Sequence, residues 1–174
     1  MTTSQDILTH WVNDRDWALS LAVTLNLKQS RQVHDDNGGS YRVSLNEGHI
    51  DRTLRHFLNL LNRSIYGNNW RRYGRRIQVF SVQEQSSRHH LHLRLKVPVN
   101  RPTTFSEVKR NSEILDRLIV SIPICWRKTD WGYGSNRVTF GDDGWTEYQM
   151  KNRTKSNVLD SVIWTNTYLP STQS

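Results

Sequence analysis

The strictest pattern in the chain runs from His90 to Val97. Leu91, Leu93, Leu95 and Val97 alternate with His90, His92, Arg94 and Lys96, and a period of two sends the sets to opposite faces of a β-strand. Pro98 stops that strand. The run from Arg76 to Glu84, one polar turn earlier, reads as its antiparallel hairpin partner. Elsewhere the period lengthens. Ile50, Leu54, Phe57, Leu58, Leu61 and Ile65 recur at three- and four-residue steps, which predicts an amphipathic helix, with Gly67 where a C-terminal cap belongs. Thr104 and Glu107 form a capping box for a second helix, whose buried stripe is Val108, Leu115, Leu118, Ile119 and Ile122.

Weaker patterns fill the remainder. Ser4 is an N-cap for a short helix carrying Ile7, Leu8 and Trp11 on one side. Leu19 to Leu27 is apolar enough for a central strand. Asp35-Asp36-Asn37-Gly38-Gly39 is turn chemistry, and Tyr41 to Leu45 returns as a short strand. Trp126 to Phe140 holds a further strand, and Asp142 or Asp143 caps a third helix bearing Trp145, Tyr148 and Lys151. Strand, helix, strand, strand, helix, strand, helix predicts one α+β domain over 1–174. Its antiparallel sheet carries helices on one face and leaves the other free for a ligand. Met1 to Thr3 read as a loose end and Ser171 to Ser174 as a disordered tail.

Composition narrows the partners. Lys and Arg number 24 against 16 Asp and Glu, a net charge of +8, which favours a polyanion such as nucleic acid. The single cysteine, Cys125, excludes an internal disulfide framework and suits a reducing, intracellular setting. No apolar run approaches the ~20 residues of a membrane helix, and no signal-peptide layout opens the chain. At 174 residues one domain is expected, so a helicase, if needed, comes from the host or a separate polypeptide.

The alternating strand also carries candidate chemistry. His90 and His92 stand about ~6.5–7 Å apart on one face, close enough for both imidazoles to turn toward one divalent ion. Arg94 and Lys96 beside them are placed to meet phosphates. An oxygen donor would complete the set: Glu84, which a hairpin can bring alongside, or Gln83 if the register differs. His89 belongs to the core side or the turn. Tyr148 and Lys151, three apart on a helix, share a face. A phenol, which ionises near pH ~10, becomes a nucleophile more readily beside an ammonium and a polarised phosphate. Tyr133 is the second choice of nucleophile. Trp70-Arg71-Arg72-Tyr73-Gly74-Arg75-Arg76 interleaves four arginines with two aromatics, a composition that can hold phosphates while stacking bases.

Taken in order, Glu84, His90-Leu91-His92 and Tyr148-Gln149-Met150-Lys151 resemble the motifs of HUH-type endonucleases. Within that class the sequence resembles the single-tyrosine rolling-circle replication initiators (Rep nickases) of plasmids and small viruses. Leu21-Ala22-Val23-Thr24-Leu25-Asn26 resembles their first motif, and the likeness spans roughly residues 19 to 155. It implies an HUH/RRM-like sheet of about five strands and a Mn²⁺ or Mg²⁺ cofactor held by His90, His92 and Glu84. It also implies attack by Tyr148, steadied by Lys151, on a single-stranded DNA origin that can be a hairpin. The products are a 5′-phosphotyrosine and a free 3′-OH. Arg71, Arg72, Arg75, Arg76, Arg94, Lys96, Thr24 and Asn26 are then the expected DNA contacts. The setting would be a prokaryotic cytoplasm or the host cell of a mobile element or virus. A transposase or relaxase would share this chemistry. The rival of another class is a non-enzymatic RRM-like nucleic-acid-binding module, although His90 and His92 stand where such a sheet would want aromatics. The sequence leaves oligomeric state and nick site open.

Overall fold

A computed structural model describes residues 3–85, 87–97, 104–142, 144–150 and 158–170. Its main sheet contains β1 (Leu21–Leu27), β4 (Gln78–Gln85), β5 (His89–Lys96) and β6 (Gly132–Phe140) in the order β4-β5-β1-β6. Every neighbouring pair is antiparallel. With α2 (Glu47–Tyr66) between β1 and β4, and α4 (Phe105–Arg127) between β5 and β6, this is the split βαβ arrangement of an RRM-like α+β fold. Among the described residues the sheet has four strands, not five. The segment after the Asp35–Gly39 turn, β3 (Ser40–Ser44), pairs with β2 (Ser30–His34) in a separate hairpin. That turn is closed by Asp35 Oδ1, which accepts from the backbone N–H groups of Asn37 and Gly39, while Gly38 takes φ +80°.

One sheet face is buried as the alternation predicts. Leu21, Val23, Leu25, Leu91, Leu93 and Leu95 are fully enclosed with Ile50, Leu54, Phe57 and Leu61 of α2 and Leu118, Ile122 and Trp126 of α4. Asn46 caps α2 by accepting from His49 N–H at 2.9 Å, and Gly67 ends it at φ +61°. The Thr104–Glu107 capping box forms. The α4 stripe differs from expectation at both ends: Val108 is 50% exposed, whereas the helix continues through Pro123 and buries Cys125 and Trp126.

The opposite face is not free. It is covered by α1 (Ser4–Asn13), α5 (Gly144–Gln149) and 3₁₀ turns at Val158–Ser161 and Trp164–Asn166. A second cluster forms there from Leu8, Val12, Trp17, Phe80, Val82, Met150, Val158 and Val162. Thr3, not Ser4, caps α1: its hydroxyl accepts from Asp6 N–H, and the Asp6 carboxylate accepts from Thr3 N–H. Leu8 and Val12 point inward, leaving Ile7 and Trp11 exposed. Residues 162–168 also dress the β4 edge, Val79 and Tyr168 exchanging two backbone hydrogen bonds of 2.8 Å, so that edge is covered from Val79 to Val82. Residues 171–174 lie outside the described residues. Among the described residues no helix is long and apolar enough to cross a membrane.

Arg94 and Lys96, expected to face DNA, are 3% and 4% exposed. The Arg94 guanidinium donates to Thr146 Oγ1 (2.6 Å) and Asn13 Oδ1 (3.3 Å) and lies over the Trp17 ring. Lys96 Nζ sits 2.6 Å from Asp16 Oδ2. Their charges fasten the covering segments to the sheet and are unavailable to a ligand.

One stability prediction arises on the far side of the core. Tyr66 Oη is buried with no hydrogen-bond partner among the described residues, and burial pushes its phenol well above the usual range. Above pH ~10 the unfolded chain therefore holds fewer protons than the folded one, so stability should fall as pH rises. Tyr66→Phe removes an unsatisfied hydroxyl at constant shape. It should match or exceed wild-type stability at neutral pH and show a shallower alkaline loss in urea titrations. An unchanged alkaline slope would contradict this assignment.

Candidate active site

Register decides which side chains meet. Across the β4–β5 hairpin Glu84 lies opposite His90 and Val82 opposite His92, while Gln83 lies opposite Leu91. Glu84 therefore shares a face with both histidines. From the diagonal position Glu84 Oε2 comes within 2.6 Å of His92 Nε2, within the reach of long side chains on a sheet. Gln83 points to the other face, where its Nε2 is 3.1 Å from His89 Nδ1. The alternative ligand is thus on the wrong side of the sheet, and His89 is turned away as expected.

The first-motif residues meet the same histidines. In β1, Thr24 pairs with His92 and Asn26 with His90. Thr24 Oγ1 lies 3.2 Å from His92 Nδ1, and Asn26 Oδ1 lies 2.6 Å from His90 Nδ1. Asn26 also donates to the Ser135 carbonyl. These two side chains, expected to contact DNA, lie within hydrogen-bond distance of the imidazoles. Such outer contacts typically hold a metal-ligating histidine in one tautomer.

Tyr148 stands over this face. Its ring is perpendicular to that of His92, with centroids 5.5 Å apart. Trp145 stacks on the Tyr148 ring at 5.1 Å and meets His92 edge-on at 5.8 Å. Hydrogen bonds hold down the short helix that carries both. Gln149 Nε2 donates to His92 O (2.8 Å), Trp145 Nε1 to Leu93 O (3.2 Å), and Thr146 receives Arg94. Lys151 lies outside the described residues.

The donor set suits a hard or borderline divalent ion: two imidazoles and a carboxylate. Glu84 and His92 are adjacent, and His90, anchored through Nδ1, makes no hydrogen bond to a described residue through Nε2. In the arrangement described, no three His, Cys, Asp or Glu side chains among the described residues converge on one point. The His90 ring is turned to Asn26, so a rotation of that half-buried side chain would be needed to bring all three together.

The structure adds residues that the motifs do not single out. Arg137 of β6 lies opposite Thr24 on the His92 face and is exposed. Trp145 and Gln149 locate Tyr148 and β5. Trp145 was legible as an i, i+3 neighbour of Tyr148; Arg137 needed the β1–β6 register. Tyr133 is exposed at the start of β6.

The arginine-rich stretch stands apart. Arg71 and Arg72 lie in α3 (Asn69–Arg72), and Arg71, Arg72, Arg75 and Arg76 are all exposed. Arg71 lies over Trp70 at 5.0 Å and Arg72 over Tyr73 at 5.4 Å. This segment leads into β4 at Gln78, opposite Lys96. Glu84 is six positions farther along the strand, about ~20 Å away.

Comparison with protein-family models, with curated proteins and with solved structures found no match to the chain.

Proposed function

We propose that the chain is a metal-dependent, site-specific endonuclease that nicks and rejoins single-stranded DNA and starts rolling-circle replication. The observation that carries this reading is the register. It sets Glu84, His90 and His92 on one sheet face with the Tyr148 ring 5.5 Å from that of His92. Glu84, His90 and His92 would hold Mn²⁺ or Mg²⁺, which when bound polarises a phosphodiester toward attack. Tyr148 Oη forms the new bond to phosphorus as the bond from phosphorus to the 3′-oxygen breaks. The phenolic proton passes to water and the departing oxygen takes one up. The phosphotyrosine retains an ester that a 3′-OH can attack later, so joining needs no further energy source. Thr24 and Asn26 keep the imidazoles oriented, Trp145 positions the phenol, and Arg137 supplies positive charge beside the phosphate.

The direct test is to incubate the protein with Mn²⁺ and a pool of random single-stranded DNA and run a denaturing gel. A DNA–protein adduct is expected; cleavage with a free 5′ end and no adduct would contradict the proposal.

The Trp70–Arg76 segment would hold DNA away from the cut. Arg72→Ala with Arg75→Ala should weaken binding and lower the slope of log affinity against log salt by about ~1.4, near ~0.7 per phosphate contact on a single strand. An unchanged slope would make the segment an ordinary solvated loop.

A further inference from the structure

A second basic cleft lies at the other end of the strands, beyond Asn26. Arg31, His49, Arg52, His56, Lys128 and Trp131 line it, with Asp130 as the one acidic neighbour, and it encloses about 380 Å³. Its wall is built by close backbone packing. Gly132 sits so near the end of α4 that a Cβ would collide with the Trp126 carbonyl, and Thr129 Oγ1 ties Trp126 to Gly132. Trp131 is buried between other groups: His49 stacks on it at 4.6 Å, and Arg31 lies over its ring at 5.4 Å. It is thus a rigid floor, not an open platform for bases.

Among the described residues, Arg31 is the cleft cation that has an ion pair, 3.4 Å from Asp130. The side chains of Arg52, His56 and Lys128 make no hydrogen bond or ion pair with the described residues. Arg31 Nε and His49 Nδ1 are buried with no hydrogen-bond partner among the described residues. Three permanent cations against one carboxylate, with no aliphatic residue in the lining, offer donors and charge but no grip for a peptide's apolar side chains. Guanidinium forks and an ammonium fit a phosphate group. The cleft is also tied to the active-site strand: Lys28 N–H donates to Trp131 O at 2.9 Å, and Trp126 Nε1 donates to Asn26 O at 3.0 Å.

The geometry points to this cleft as a second phosphodiester-binding site, which takes the single strand where it leaves the His90 end of the sheet. The path of the strand rests on the nicking proposal, but occupancy of the cleft can be measured without nicking. Binding of labelled oligothymidylate is followed across a salt series in the Tyr148→Phe background. Arg52→Ala with Lys128→Ala should lower affinity and reduce the salt slope by about ~1.4. Both residues are exposed, so the fold should survive, which a melting curve checks. Arg110→Ala with Arg117→Ala removes the same charge from exposed positions on α4 and should leave the slope unchanged. An unaltered slope in the cleft variant, or an equal fall in both variants, overturns the assignment. So does stabilisation of wild type by inorganic phosphate that the cleft variant loses while its oligonucleotide slope stays the same, which would mark a free-anion site. Absence of an adduct in wild type would defeat the nicking proposal and leave this test intact.

Discussion

Tyr148→Phe is expected to bind single-stranded DNA as wild type does and to form no covalent adduct at all. The substitution removes one oxygen and almost no volume. The ring keeps its stack on Trp145 and its edge contact with His92, and the hydrogen bonds from Gln149 and Trp145 to β5 do not involve it. Loss of the adduct in a folded, DNA-binding protein would therefore report on the attacking atom alone. Adduct formation by Tyr148→Phe at a wild-type rate would place the nucleophile elsewhere.

Glu84→Gln should remove the response to metal and lower nicking by about ~10²–10³-fold, the size of a loss of ~3–4 kcal/mol in the transition state. This variant is a cleaner probe than His92→Ala. His92 is 5% exposed and touches Thr24, Glu84, Trp145 and Tyr148. Truncating it would leave buried groups unpaired at a cost of ~1–3 kcal/mol and confuse lost fold with lost chemistry. A glutamine at position 84 keeps the shape and can still accept from His92. For wild type, Mn²⁺ at ~100 times its dissociation constant should add ~2.7 kcal/mol of stability, a rise in melting temperature of roughly ~5–10 °C for a chain of this size. Glu84→Gln should show little of that rise. His90→Ala should lose it too, since the open Nε2 of that ring is the other available donor. Full Mn²⁺ stabilisation of Glu84→Gln would remove Glu84 from the ligand set, whatever the activity.

The facing of β5 was legible because its period of two is unbroken from His90 to Val97. What covers the second face was not. Arg94 and Lys96 look solvent-bound in sequence, yet their partners Asn13, Asp16 and Thr146 come from segments roughly fifty to eighty residues away, and their aliphatic stems tolerate burial. The choice between Glu84 and Gln83 was equally hidden. β4 is buried on both faces from Gln78 to Gln83, so its composition carries no alternation, and only the hairpin register separates the two. The turn at Asp35–Gly39 was readable from its residues, but nothing in Tyr41–Leu45 tells which sheet it joins. The Thr3 cap and the passage of α4 through Pro123 are local ambiguities. Ser is the better N-cap taken singly, but Asp6 stands three residues after Thr3 and completes its capping box, and proline's usual helix-ending effect did not end this one.

The central claim is that Tyr148 becomes covalently bonded to DNA beside Glu84, His90 and His92. Proteolysis and mass mapping of the wild-type adduct, formed in Mn²⁺ with single-stranded DNA, tests it most directly. A nucleotide on the peptide carrying Tyr148 is the result predicted, and a nucleotide on Tyr133 or Tyr168 would contradict it.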